Sequence, residues 1–344
     1  MIKASKEVIL AAGVHSPQIL QLSGIGPKEL LKKHEIDTIA DLPGVGQNFQ
    51  DHPTLYPVFN FTKMIHPTPD DLASNETYAA EQLKLYWAKR EGAYTIVHLG
   101  GNTVAFLPLP NITRDHESIV HLAETSIPKP LEDSSPSYLA GYKAQRSILA
   151  TMYASTNASV QETGYSSGSV MPITLVKPLS RGSISIRSSD IQDEPALDFG
   201  VFTHPADIEI MVAALRINRE FLKTAPMREL GPVEVVPGAN VTSDEDIKTA
   251  LRESVVPTYS HPCCTCPMMP EELGGVMDAE LLVYGVQGLS VVDASVMPMI
   301  PATHLSATVY AVAEKVSCEI FVMGGCGLTV VVGSGHHQST TWVA

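Results

Sequence analysis

Two stretches of the same kind, one near each end of the chain, constrain the fold more than anything between them. EVILAAG at 7–13 is a short apolar run closed by glycine, the pattern of a buried strand entering a turn. Ser16-Pro17 then supplies an N-cap and a first-turn proline for a helix through Ile19, Leu20 and Leu22, with Gly24 as its stop. Pro27 opens a second helix over KELLKKHEI, and LPGVGQNFQDHP at 42–53 follows as a loop carrying His52. Near the other end, GLSVVDASVMP at 288–298 reads as a buried strand running into an Asp-Ala-Ser turn. A long helix follows, with Thr303 as its N-cap and Leu305, Val309, Val312 and Val316 at helical spacing.

From about 55 to 257 the texture changes to short segments with frequent prolines and polar punctuation. RGSISIRS at 181–188 alternates like a half-buried strand. ADIEIMVAALRINREFL at 206–222 places Ile208, Met211, Val212, Leu215 and Leu222 on one helical face. The middle therefore reads as a separate mixed α+β unit inserted between segments of an α/β one.

A formal charge of −14 argues against a nucleic-acid partner, because such binding needs lysine and arginine to neutralise phosphates. No apolar run is long enough to span a bilayer, and the opening MIKASKEVIL lacks the regions of a signal peptide. Five of the eight asparagines nevertheless open N-x-[ST] sequons: Asn60, Asn75, Asn111, Asn157 and Asn240. That excess implies a glycosylated, secreted parent protein whose leader is not in this chain.

The stretch HPCCTCPMM at 261–269 puts one histidine beside three of the five cysteines. Cys263 and Cys266 form a CxxC, but no second CxxC exists to complete a four-ligand zinc site, so no metal is expected. Prolines 262 and 267 disfavour the strand-to-helix context of a redox CxxC, which leaves buried structural thiols as the reading. His261 and His304 both lie at loop-to-element junctions, where a rigid scaffold presents catalytic groups.

Six pieces of the sequence together resemble the C-terminal half of a glucose-methanol-choline (GMC) flavin oxidoreductase of the fungal secondary-metabolite type. They are AGVHSPQILQLSGIG (12–26), LPGVGQNFQDHP (42–53), KPLSRGS (177–183), the His261 segment, YGVQGLSVVDASVMP (284–298) and PATH (301–304), in family order. The resemblance implies α/β plus α+β architecture. An incomplete Rossmann-like FAD domain would be built from 1–54 and 258–322, with an antiparallel-sheet substrate domain at 55–257 and an unmatched tail at 323–344. It implies FAD as cofactor, a small-molecule alcohol as substrate, and oxygen or a quinone as electron acceptor. His261 would be the base that takes the hydroxyl proton as hydride leaves for flavin N5, with His304 bonding the substrate oxygen. Gly13, Ser16, Asp293, Ala294, His304 and Leu305 would approach the cofactor.

Two departures stand beside the resemblance. The histidine motif usually continues with glycine where this chain has Cys264. The G-x-G-x-x-G turn that holds the ADP part of FAD is missing from the sequence, so weak FAD binding, or none, is expected of the chain alone. Two further functions stay open: acid/base cyclisation or dehydration without net oxidation, and an inactive truncated fragment.

Overall fold

The computed structural model describes residues 4, 6–63, 66–95, 103–165, 168–322 and 329–331. The two end segments meet. Strand Val8–Leu10 runs parallel to Leu289–Val291, in register Val8 to Leu289. Parallel neighbours need a crossover between them, and here the crossover contains the whole middle of the chain. On its other side Val8–Leu10 runs parallel to Thr329–Val331, so the sheet has three strands with Val8–Leu10 at its centre. That third strand lies inside the segment expected to be an unmatched tail; 323–328 and 332–344 fall outside the described residues.

Local chemistry sets the element ends, and three expectations need correction. The first helix is Ser16–Leu22 with His15 at its N-cap. Ser16 is a helical residue whose hydroxyl accepts from Ala12 N and donates to Asp293 Oδ2, so it stitches loops together instead of capping. The second helix stops at Lys33, short of the expected Ile36, because Glu35 turns left-handed at φ 57°. The last helix is Ser306–Val322, so Thr303 is not its N-cap. Leu305 is drawn into an apolar cluster with Cys263, Cys264, Met297 and Ile300, and the chain bends through 302–305 to place it there before the helix starts.

The middle unit contains a four-stranded antiparallel sheet in the order Thr54–Leu55, Ile173–Leu175, Ser159–Tyr165, Thr103–Pro108. Helices Pro136–Ala154 and Pro205–Leu222 pack with it. The predicted face of the latter, Ile208, Met211, Val212, Leu215 and Leu222, is buried throughout. Each such side chain contributes about 2 kcal/mol of transfer free energy. The 181–188 stretch shortens to Ser183–Ser185, antiparallel to Ala196–Asp198, with Ile184 and Ile186 buried as the alternation requires. Thr54 and Val256 exchange both backbone hydrogen bonds at 2.9 Å, which brings together the two ends of this middle stretch. Among the described residues no helix is long and apolar enough to cross a membrane.

A second core serves the end segments: Leu10, Leu20, Ile25, Val45, Val276, Val291 and Val296 pack together, and Val312 and Val316 of the last helix lean on it. Gln21 locks this layer to the middle unit, its amide donating to Val45 O and Ile184 O and accepting from Ile186 N. Gly46 is glycine by necessity at this junction. Its φ is +80°, and a Cβ there would lie 2.1 Å from the Ile184 carbonyl oxygen.

Candidate active site

Three loops converge beside the sheet of the middle unit. His52 ends the loop that follows Gly46, His261 lies in the loop after Val256, and His304 lies in the approach to the last helix. The pairing of 50–52 with 261–263 is fixed by backbone: Gln50 N donates to Cys263 O at 3.3 Å and Cys263 N returns to Gln50 O at 3.0 Å. Asp51 completes the clamp. Its Oδ1 accepts from the backbone N–H of His52 (2.7 Å), Tyr259 (3.0 Å) and His261 (3.2 Å), and its Oδ2 accepts from Thr258 Oγ1 at 2.5 Å. A buried carboxylate with four donors holds the main chain on both sides of the histidine pair.

The side chains form one cluster. The His261 and His304 rings are 5.2 Å apart, Tyr259 lies 5.4 Å from His261 and 5.8 Å from His304, and His52 stands edge-on to His261 at 5.0 Å. Nδ1 of His52 lies 2.9 Å from Nδ1 of His261. His304 Nε2 lies 3.1 Å from Glu162 Oε1, a carboxylate contributed by strand Ser159–Tyr165. Burial lowers the pKa of His261, the neighbouring His304 lowers it further, and Asp51 opposes both. His52, wholly enclosed, is pushed down to about 3 by burial and then by His261. Tyr259 is pushed up to about 12 by burial and by the Glu162 charge, so its phenol keeps its proton.

The cofactor candidates line the ends of the parallel strands. Asp293 follows Leu289–Val291, and its Oδ2 accepts from Gly13 N (2.9 Å) and Ser16 Oγ (2.5 Å) while Oδ1 accepts from Ser295 N (2.7 Å). The crevice beyond the carboxyl ends of parallel strands is where open α/β sheets hold their ligands. Gly13, Val14, Phe49, Pro262, Cys263 and Ser295 border a narrow cleft at this place. A Cβ on Gly13 would meet nothing within 4 Å, and the buried Ser295 Oγ has only the weakly bonding Cys266 thiol as a partner among the described residues. An open glycine face and a hydroxyl bonded only to a thiol, at the edge of a crevice, fit a flat polar ring such as a flavin. Ser16 has both hydrogen-bonding roles satisfied within the protein. Ala294 O accepts from Cys264 N, and Leu305 is buried in the adjoining apolar cluster.

The cysteines differ from expectation. Cys263 and Cys264 form a disulfide between neighbours, and only Cys266 of the three remains a buried thiol, its pKa pushed up by burial. Cys264 sits at φ +78°, the left-handed region that costs a residue with a Cβ about 1–2 kcal/mol. That is the physical reason glycine suits this place in the resembling family. Among the described residues, no three His, Cys, Asp or Glu side chains converge on a metal-binding arrangement.

Sequence reasoning brought His261 and His304 together but missed Glu162, Asp51 and Tyr259. Asp51 lies within a quoted motif and Tyr259 two residues before His261, so their signal was adjacency. Glu162 had none, since QET in a strand breaks no periodicity. The five sequon asparagines are all exposed.

Family models described as GMC oxidoreductase match residues 1–54 and 178–313. The chain is 37% identical over 317 residues to the dehydrogenase xptC of Emericella nidulans, covering 91% of this chain and 51% of that protein. It is 34% identical over 332 residues to patulin synthase of Penicillium expansum, covering 94% and 50%. Among solved structures it is similar to an FAD-dependent oxidoreductase from Chaetomium thermophilum (TM-score 0.89, 40% identity, covering 94% of this chain and 56% of that one). A fungal aryl-alcohol oxidase is similar as well (TM-score 0.84, 36% identity, covering 92% and 55%). The chain spans about half the length of the curated relatives it matches.

Proposed function

Since the chain belongs to the GMC oxidoreductase family, we propose that it supplies the proton-handling and substrate-facing half of an FAD-dependent enzyme that oxidises CH–OH groups of small alcohols. The observation that carries this reading is the pair of imidazoles 5.2 Å apart, one held by Asp51 through its backbone and the other by Glu162 through its ring. FAD, when bound, takes up the hydride that leaves the carbinol carbon. Gly13, Asp293, Ala294 and Ser295 would hold its ring edge, with Ser16 bracing them.

His261 takes the hydroxyl proton. An imidazole whose pKa is lowered is neutral at ordinary pH and therefore ready to accept. His304 orients the substrate oxygen. Glu162 Oε1 faces His304 Nε2 and leaves Nδ1 as the ring atom for substrate; because the substrate hydroxyl gives its one proton to His261, His304 Nδ1 bonds the substrate oxygen as an N–H donor. Tyr259, still protonated, stands edge-on to both rings and flanks the pair on one side. A place in fungal secondary metabolism is proposed from the relatives, among them patulin synthase. The exposed sequons support passage through a secretory pathway, which a mobility shift on endoglycosidase treatment of the fungal product would test.

The deciding experiment is anaerobic addition of an alcohol panel to FAD-loaded protein. It would use this chain and a chimera in which the unmatched half of xptC precedes it. Bleaching of the flavin band that His261→Ala abolishes supports the reading. Consumption of substrate with the band intact overturns it in favour of non-oxidative acid/base chemistry.

A further inference from the structure

We propose that His52 is a positioning residue that selects the proton position on His261; this rests on the reading of His261 as base. The two Nδ1 atoms are 2.9 Å apart with the rings nearly perpendicular at 85°, so a single proton lies between them. If His52 donates it, neutral His261 must carry its own proton on Nε2 and has no lone pair to offer a substrate hydroxyl. If His261 donates it, His261 Nε2 is a free base. The outcome depends on where His52 keeps its proton.

The surroundings of His52 decide. Its ring is fully buried, and its Nε2 is enclosed without a well-formed hydrogen bond among the described residues. Among the described residues the Pro301 carbonyl is the neighbour that favours a proton on this ring, while Lys177, His261 and His304 oppose a charge there. Lys177 itself donates to the Ile300 carbonyl at 2.5 Å, one residue away, and Asp51 spends both oxygens on the main chain and Thr258. His52 therefore stays neutral with its proton on Nε2 toward the Pro301 carbonyl, and its Nδ1 faces His261 as an acceptor. The chain Pro301 carbonyl, His52, His261 runs in one direction and leaves His261 Nε2 bare. When His261 takes up the substrate proton there, its Nδ1–H bond to His52 persists, so the ring does not turn. The backbone clamp at Asp51 keeps both histidines in register throughout.

The test reads the proton directly and needs no turnover. In the 344-residue chain carrying 15N-histidine, two-bond couplings report which nitrogen of His261 is protonated. Nδ1–H is expected, and Nε2–H in the unsubstituted protein overturns the proposal. His52→Leu, which removes the acceptor, is expected to release His261 to mixed or Nε2–H protonation; His52→Asn, whose amide oxygen stands where Nδ1 stood, keeps Nδ1–H. In an active, FAD-loaded preparation kcat/KM falls about 100-fold in His52→Leu, chiefly in kcat, and recovers to within about fivefold in His52→Asn. Equal loss in both variants, with His261 unchanged by NMR, means a merely structural role and overturns the proposal. Failure of every preparation to oxidise alcohols sinks the functional reading, while the NMR result still decides the tautomer.

Discussion

Asp293 Oδ2 lies 2.5 Å from Ser16 Oγ across 277 residues of sequence, and the same oxygen accepts from Gly13 N. One carboxylate thus joins the turns after two neighbouring parallel strands and shapes the crevice proposed to hold the flavin edge.

Because Asp293 is buried and answers three donors, Asp293→Ala should leave Gly13 N, Ser16 Oγ and Ser295 N unpaired. A loss of about 3 kcal/mol is expected. The urea midpoint of the chain measures it, and a midpoint unchanged from the parent would show that these bonds are replaced by water.

The acid limb of alcohol oxidation should fall below pH 6.5. His261 acts when neutral, and burial together with His304 lowers its pKa. Activity is then present above that lowered value and lost as pH falls through it. A kcat/KM profile with its acid limb above 6.5 would contradict the assignment of His261 as base.

Glu162→Gln keeps the size and one acceptor at His304 but removes the charge. The expected result is a loss of about 10- to 100-fold in kcat, with KM changed less, because orientation of the substrate oxygen matters most as charge develops. Steady-state kinetics on the FAD-loaded protein separates the two parameters.

Arg181→Lys should destabilise the chain by about 3 kcal/mol despite keeping the charge. The buried guanidinium donates at once to Asn48 Oδ1, Gln145 Oε1, Pro178 O and Ser180 O, a fork that an ammonium cannot reproduce. Asn48 in turn donates to Cys264 O and Pro298 O, so the loss should also loosen the His261 loop. Thermal melting checks the first effect and hydrogen exchange at 263–266 the second.

What the sequence by itself determined is local. An apolar run closed by glycine set the strand at Val8–Leu10, an apolar run entering an Asp-Ala-Ser turn set the one at Leu289–Val291, helical periodicity set the buried face of Pro205–Leu222, and six motifs in order identified the family and pointed to His261 and His304. The tertiary structure decided which distant groups meet: Glu162 with His304 across 142 residues, His52 with His261 across 209, and Thr329–Val331 with Val8–Leu10. It also chose Cys264 over Cys266 as the partner of Cys263. The physical reason is that periodicity and turn chemistry record which face of a segment is apolar and where it stops. A hydrogen bond between residues far apart in the chain depends on sheet register and core packing, which no single segment encodes.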